Sequence, residues 1–185
     1  MSSGYKIFDS GIAHFVTCTV VDWIDALSRP LYKDVVCDSL RFCIDRKGLQ
    51  LHAWVIMSNH LHLIASAKEG AVLADVLRDF KKFTARKLVE AIAGNAQESR
   101  REWMLNAFHF AAEHNSSNKE IQFWQQGFHP ICLDRPQLWR QRLLYLHENP
   151  VRAGLVWRAE DYKYSSAIDY YVGQPGLLSL LMQQW

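Results

Sequence analysis

His60-Leu61-His62 is the first stretch of this sequence whose residue types and spacing suggest chemistry. Alternate residues of a β-strand share a face, so both imidazoles would project from one side and Leu61 from the other. Two imidazoles so close form a natural chelate for a divalent metal. Such a pair also occurs among ordinary surface and core residues, so alone it is a weak signal. The second stretch is Tyr145-Leu146-His147-Glu148-Asn149-Pro150. Tyr145 and Asn149 are four residues apart and would share one face of a helix near its end. A helix-terminal Asn cap beside a half-buried Tyr has the same spacing. If the helix meets the histidine pair, a metal would have His60, His62 and the Asn149 oxygen as ligands. Tyr145 would then stand beside it as a nucleophile.

The elements that must position these residues are legible from periodicity. His14 to Val21 alternates and is β-branched, which predicts a strand. Pro30 starts a helix running to about Arg46, and Lys47-Gly48 stops it. Leu49 to Met57 and His60 to Ala65 read as two strands joined by Ser58-Asn59, a hairpin. A long helix is expected over about 72–92. Residues 94–99 read as a weak loop followed by an aromatic and polar stretch. Gly127 to Leu133 reads as a fourth strand, placed at an edge by Pro130. Gln137 to Asn149 reads as a helix that Pro150 ends. The order β-α-β-β-α-β predicts an α+β fold, a ferredoxin-like antiparallel sheet with helices on one face. One domain is expected over residues 1–185, with a core at about 12–172 and a tail at 173–185.

Composition narrows the class. The 185 residues are 49% hydrophobic and 22% charged, the ordinary globular range, which excludes wholesale disorder. No apolar run is long enough to span a membrane, and the first fifteen residues show no secretory signal. A cytoplasmic protein is expected, associated with the nucleoid when bound to DNA. Cys18, Cys37, Cys43 and Cys132 form no C-x-x-C pair and read as reduced thiols, mostly filling the core. The net charge is only +2, yet it is unevenly spread. Residues 78–101 hold seven basic side chains against three acidic, and residues 135–158 hold five against one. Two basic blocks on an otherwise acidic chain suggest a phosphate-binding surface. Solvated helix faces would have the same composition.

Taken together, the segments are recognisable. Met57-Ser58-Asn59-His60-Leu61-His62-Leu63-Ile64, followed by Tyr145-Leu146-His147-Glu148-Asn149-Pro150-Val151-Arg152-Ala153-Gly154-Leu155-Val156, resembles the single-tyrosine HUH transposases. These are the enzymes of insertion-sequence-200-type elements and their REP-associated relatives. Asp79-Phe80-Lys81-Lys82-Phe83, Phe123-Trp124-Gln125-Gln126-Gly127 and Asp161-Tyr162-Lys163-Tyr164-Ser165-Ser166-Ala167 extend the resemblance. It covers roughly residues 12–172.

The resemblance implies a single-strand DNA endonuclease and strand transferase acting through a covalent 5′-phosphotyrosine. It implies His60, His62 and Asn149 as ligands of Mg²⁺ or Mn²⁺, with Tyr145 as the nucleophile. Single-stranded or hairpin DNA is the implied partner. Lys81, Lys82, Arg140, Arg142 and Arg152 are candidates for phosphate contacts. Trp124, Phe123 and Phe128 are candidates to stack unpaired bases. His52 reads as structural, His147 could contact DNA, and Asn59 reads as a turn-former. A domesticated protein that binds hairpins without cleaving them is the alternative function. A histidine-triad hydrolase would need a third alternating histidine, and Ile64 stands there. A homodimer sharing the tyrosine helix and a monomer are both compatible with the sequence. The tail could pack on the core, enter a partner or gate the site.

Overall fold

Phe15, Thr17, His60 and His62 alternate in sequence with Val16, Cys18, Leu61 and Leu63, and this alternation splits the central sheet into two chemically different faces. In the computed structural model, which describes residues 7, 9–113 and 120–182, the second set is fully buried. The elements follow as β1 (His14–Thr19), α1 (Pro30–Arg46), β2 (Leu49–Ile56), β3 (His60–Ala67), α2 (Leu73–Gly94) and α3 (Arg101–Glu113). Then come β4 (Ile131–Cys132), α4 (Pro136–Arg152) and α5 (Ala167–Tyr171). The sheet order is β2-β3-β1-β4, and every neighbouring pair is antiparallel. This is the ferredoxin-like α+β arrangement expected from the element order, except that helices cover both faces of the sheet and not one, because α4 packs on the Phe15 and His62 side.

α1 and α2 lie against the aliphatic face. They bury Tyr32, Val36, Leu40 and Cys43 from α1, and Leu73, Leu77, Phe80, Leu88 and Ile92 from α2, each set at helical spacing. The Cys18 thiol is pushed up to about 11 by burial, and Lys81 of α2 is the charge that opposes this. α4 crosses the opposite face, where Tyr145 packs against Phe15 and His62. All four cysteines are free; Cys18, Cys37 and Cys43 are buried, and Cys132 is exposed. Among the described residues, no helix is long and apolar enough to cross a membrane.

Several expectations needed revision. α4 runs through Pro150 to Arg152 instead of ending before it. The real stop is Gly154, with φ at +70°. Gly154 N–H donates to the Val151 carbonyl and Leu155 N–H to the Pro150 carbonyl, the paired bonds of a Schellman cap. A proline one turn from the end removes only one donor, and the preceding turn holds without it. The first strand ends at Thr19, and a short 3-10 turn, Val21–Trp23, follows. The fourth strand shrinks to two residues, because Gly127 and His129 take positive φ and Pro130 has no N–H. α3 was not foreseen; it buries Met104, Phe108 and Ala112 along one stripe. Residues 176–182 pack on the core: Leu178 is buried, and Leu181 N–H donates to Leu51 of β2.

Candidate active site

β3 sets the two histidines side by side, with ring centroids 4.8 Å apart. Antiparallel pairing with β1 places Thr17 directly opposite His62. Thr17 Oγ1 and His62 Nδ1 are 2.8 Å apart, and the Phe15 ring stacks on the imidazole at 4.9 Å. Asn59, in the β2–β3 turn, accepts from His60 Nδ1 through Oδ1 at 2.7 Å. Its amide donates to the Trp23 carbonyl. Each histidine thus spends Nδ1 on the protein and keeps Nε2 for something else. His62 Nε2 is buried with no hydrogen-bond partner.

α4 supplies the other wall. Arg142, Tyr145, Asn149 and Arg152 are spaced three, four and three residues apart, one stripe of the helix. The Tyr145 ring lies 5.4 Å from that of His62. The Asn149 amide donates to the Tyr145 carbonyl at 2.8 Å, and its side chain stands near enough to the His60 ring to act on that imidazole's pKa. The Arg142 guanidinium sits over Phe15 at 5.4 Å, and its Nε is buried without a partner. Arg152 lies over the Tyr145 ring at 5.6 Å.

The electrostatics favour neutral imidazoles. Burial first, then the neighbouring His60 and Arg142, push His62 down to about 3. His60 is lowered by burial, against the opposing hydrogen bond from Asn149. Neutral imidazole is the metal-binding form. The donors on offer are two Nε2 atoms and one amide oxygen, and His62 Nε2 is buried without a partner. This set suits a divalent cation that accepts mixed nitrogen and oxygen ligands. Among the described residues, no group of three His, Cys, Asp or Glu side chains could hold a metal; Asn149 is the neighbouring side chain whose oxygen could join the two imidazoles.

Other candidates lie elsewhere. Trp124 is buried, with Nε1 donating to Thr84 Oγ1 at 2.9 Å, and Phe123 is 1% exposed, so neither is free to stack a base. Phe128 is half-buried, under the Lys81 ammonium. Lys81 itself donates to the Gln125 and Gly127 carbonyls and is lowered by burial; it ties α2 to the 125–127 loop. Within the first basic block, Arg78, Arg86, Lys87 and Arg100 are ion-paired, while Lys82 is exposed with no ion pair among the described residues. In the second, Arg140, Arg142 and Arg152 have none among the described residues, and all three lie on α4. His147 is buried against Ser166, Tyr170 and Tyr171, so it does not reach a DNA surface. His52 is structural, bonded to Leu181 and Ser66.

Sequence reasoning missed Thr17 as the residue that fixes His62. The signal was available: a polar residue on β1, two positions from Phe15, faces the histidines once β1 pairs with β3. Asn59 does form the turn, and it also orients His60.

Residues 10–126 match the family model described as transposase, IS200-like. The chain belongs to the IS200-like transposase family. The matched stretch contains His60 and His62 and ends before the helix of Tyr145, so the tyrosine's place rests on the geometry above. A solved REP-associated tyrosine transposase, bound to a REP hairpin, is similar in fold at a TM-score of 0.62 and 18% identity. That likeness covers 100% of this chain and 95% of the other. A candidate transposase from Deinococcus radiodurans R1 gives a TM-score of 0.45 at 19% identity, covering 80% of this chain and 97% of that one. No curated protein matches the sequence.

Proposed function

We propose that this IS200-like transposase cleaves and rejoins single-stranded DNA through a covalent bond to Tyr145. The observation that carries the reading is the meeting of Tyr145, His60, His62 and Asn149 within one chain. Asn149 stands near the His60 ring, and Tyr145 packs on His62. His60, His62 and Asn149 would hold Mg²⁺ or Mn²⁺. Two imidazoles favour Mn²⁺ over the harder Mg²⁺. When bound, the cation would supply positive charge to polarise a phosphoryl oxygen.

The chain's own residues do the rest. Tyr145 Oη, losing its proton, attacks phosphorus; a P–Oη bond forms and the P–O3′ bond breaks. The departing 3′-oxygen takes up a proton and leaves as a free hydroxyl, while the 5′-phosphate stays on tyrosine. The reverse attack by a 3′-hydroxyl restores the phosphodiester and frees the phenol, so rejoining needs no nucleotide cofactor. The Arg152 guanidinium over the Tyr145 ring stands where it can hold a phosphate oxygen beside the nucleophile. Arg142, whose guanidinium lies over Phe15 beside the histidines, holds a phosphate oxygen. Arg140 and the exposed Lys82 bind the DNA backbone further out. Single-stranded or hairpin DNA is the partner.

An adduct assay tests this. The protein and its Tyr145→Phe variant are incubated with labelled single strands from both flanks of its gene, with Mn²⁺, Mg²⁺ or EDTA. The expected result is a band shifted on a denaturing gel that needs both Tyr145 and metal. Tight hairpin binding with no adduct would favour a non-cleaving binder. An adduct that survives in Tyr145→Phe would remove the tyrosine from its role.

A further inference from the structure

Asp22 and Trp23, two successive residues with side chains, sit at φ +52° and +57°. Both lie in the left-handed region that residues with a Cβ disfavour. The strain is held by bonds on both sides of the loop. Val20 N–H donates to the Asn59 carbonyl, Leu27 N–H to the Ser58 carbonyl, and the Asn59 amide to the Trp23 carbonyl. Ser58 Oγ donates to Asp25 at 2.6 Å. Arg100 donates to Ser28 Oγ at 3.0 Å and is itself held by Glu98, whose side chain is fully buried.

All this ordering leaves the indole 57% exposed, so core burial does not account for it. What the conformation achieves is placement. The Trp23 ring lies 5.8 Å from His60, edge to face. Trp23, His60, His62 and Tyr145 form one row of rings, with centroid gaps of 5.8, 4.8 and 5.4 Å. The cations Arg142 and Arg152 stand at the Tyr145 end. At the other end Trp23 is flanked in sequence by Asp22 and Asp25, which repel phosphate. An open aromatic face, with no cation over the ring among the described residues, suits the uncharged part of a nucleotide, its base.

We propose that Trp23 is the platform on which an unpaired nucleobase beside the scissile phosphate stacks. This rests on the reading that the histidine site acts on single-stranded DNA. Stacking there fixes the strand's position along the row of rings and selects unpaired over paired DNA at that nucleotide.

The test uses the full chain carrying Tyr145→Phe, which keeps the strand intact, with Mn²⁺ present. Single strands from both gene flanks carry 2-aminopurine at each purine in turn. Quenching is expected at a purine next to the cleavage position. Trp23→Ala removes that quenching and weakens strand affinity about 5- to 100-fold, the size of one lost base stack. Trp23→Phe retains most of both. Mn²⁺ affinity, measured by titration without DNA, stays unchanged in Trp23→Ala. Quenching and affinity that are the same in Trp23→Ala overturn the proposal. So does Mn²⁺ affinity falling in step with DNA affinity, which would make Trp23 a support for His60. Adduct formation in the Tyr145-containing protein is scored separately. An adduct without Trp23-dependent quenching sinks the platform alone. Trp23-dependent quenching without any adduct sinks strand transfer alone.

Discussion

Thr17 holds His62 by a single contact from the neighbouring strand, which makes its role separable. Thr17→Val keeps the shape and removes the Oγ1–Nδ1 bond. Outer hydrogen bonds of this kind typically change metal affinity by about 10- to 100-fold. Mn²⁺ titration of Thr17→Val should show a loss of that order with an unchanged circular dichroism spectrum; unchanged Mn²⁺ affinity would deny the histidines their ligand role. The buried histidines away from the ligand pair carry a second prediction. His147 is pushed down to about 4 and His52 is lowered from 6.5, both by burial. The unfolded chain therefore takes up protons below about pH 6.5 that the folded chain refuses. Stability is full above that pH and is lost as pH falls toward 4, by up to about 1.4 kcal/mol per pH unit for each such group. With EDTA present, the urea midpoint should be lower at pH 5 than at pH 7.5; a higher one would contradict the burial of neutral imidazoles. At this scale the sequence revealed side-chain chemistry and hid exposure. The histidines were legible because alternation fixes their face. Trp124 and Trp23 could not be told apart, since which indole meets solvent depends on the residues that pack over it.

α4 places the proposed nucleophile, amide ligand and phosphate-binding arginines on one stripe, and its last turn carries Asn149. That turn is closed by Gly154 at φ +70°. Nothing lies within 4 Å of where a Cβ would be, so an alanine there meets no clash and faces only backbone strain. Gly154→Ala should cost about 1–2 kcal/mol, seen as a lowered melting temperature. Mn²⁺ affinity should fall with it, because the cap and Asn149 share the turn. In sequence Pro150 reads as a boundary, whereas its position in the last turn lets the helix absorb it. α3 was hidden for a different reason. Its buried Met104, Phe108 and Ala112 alternate with exposed Trp103 and Phe110, so no clean apolar stripe stands out. The α1, α2 and hairpin elements are readable because each has an uninterrupted period and a glycine or turn at its end.

All four groups of the proposed site come from one chain, with Tyr145 packed on the histidine of its own sheet. Equimolar mixing of Tyr145→Phe with His60→Ala should therefore give no adduct. Recovery of adduct in the mixture would mean that subunits exchange the tyrosine helix. The sheet's arrangement has a further effect. β2 is an edge strand, and its outward groups are taken by residues far along the chain. Val55 bridges to Ser165, Trp54 N–H bonds the Ser166 hydroxyl across a separation of 112, and the Leu51 carbonyl accepts from Leu181 N–H. Closing loops of that length is entropically slow compared with forming the β2–β3 hairpin. During folding the hairpin thus waits with one side open, competent to pair with another molecule. Refolding yield after dilution from urea should fall as protein concentration rises, and a fragment ending before residue 164 should precipitate. The race between intramolecular sealing and association decides how much enzyme a cell obtains from a given amount of synthesis.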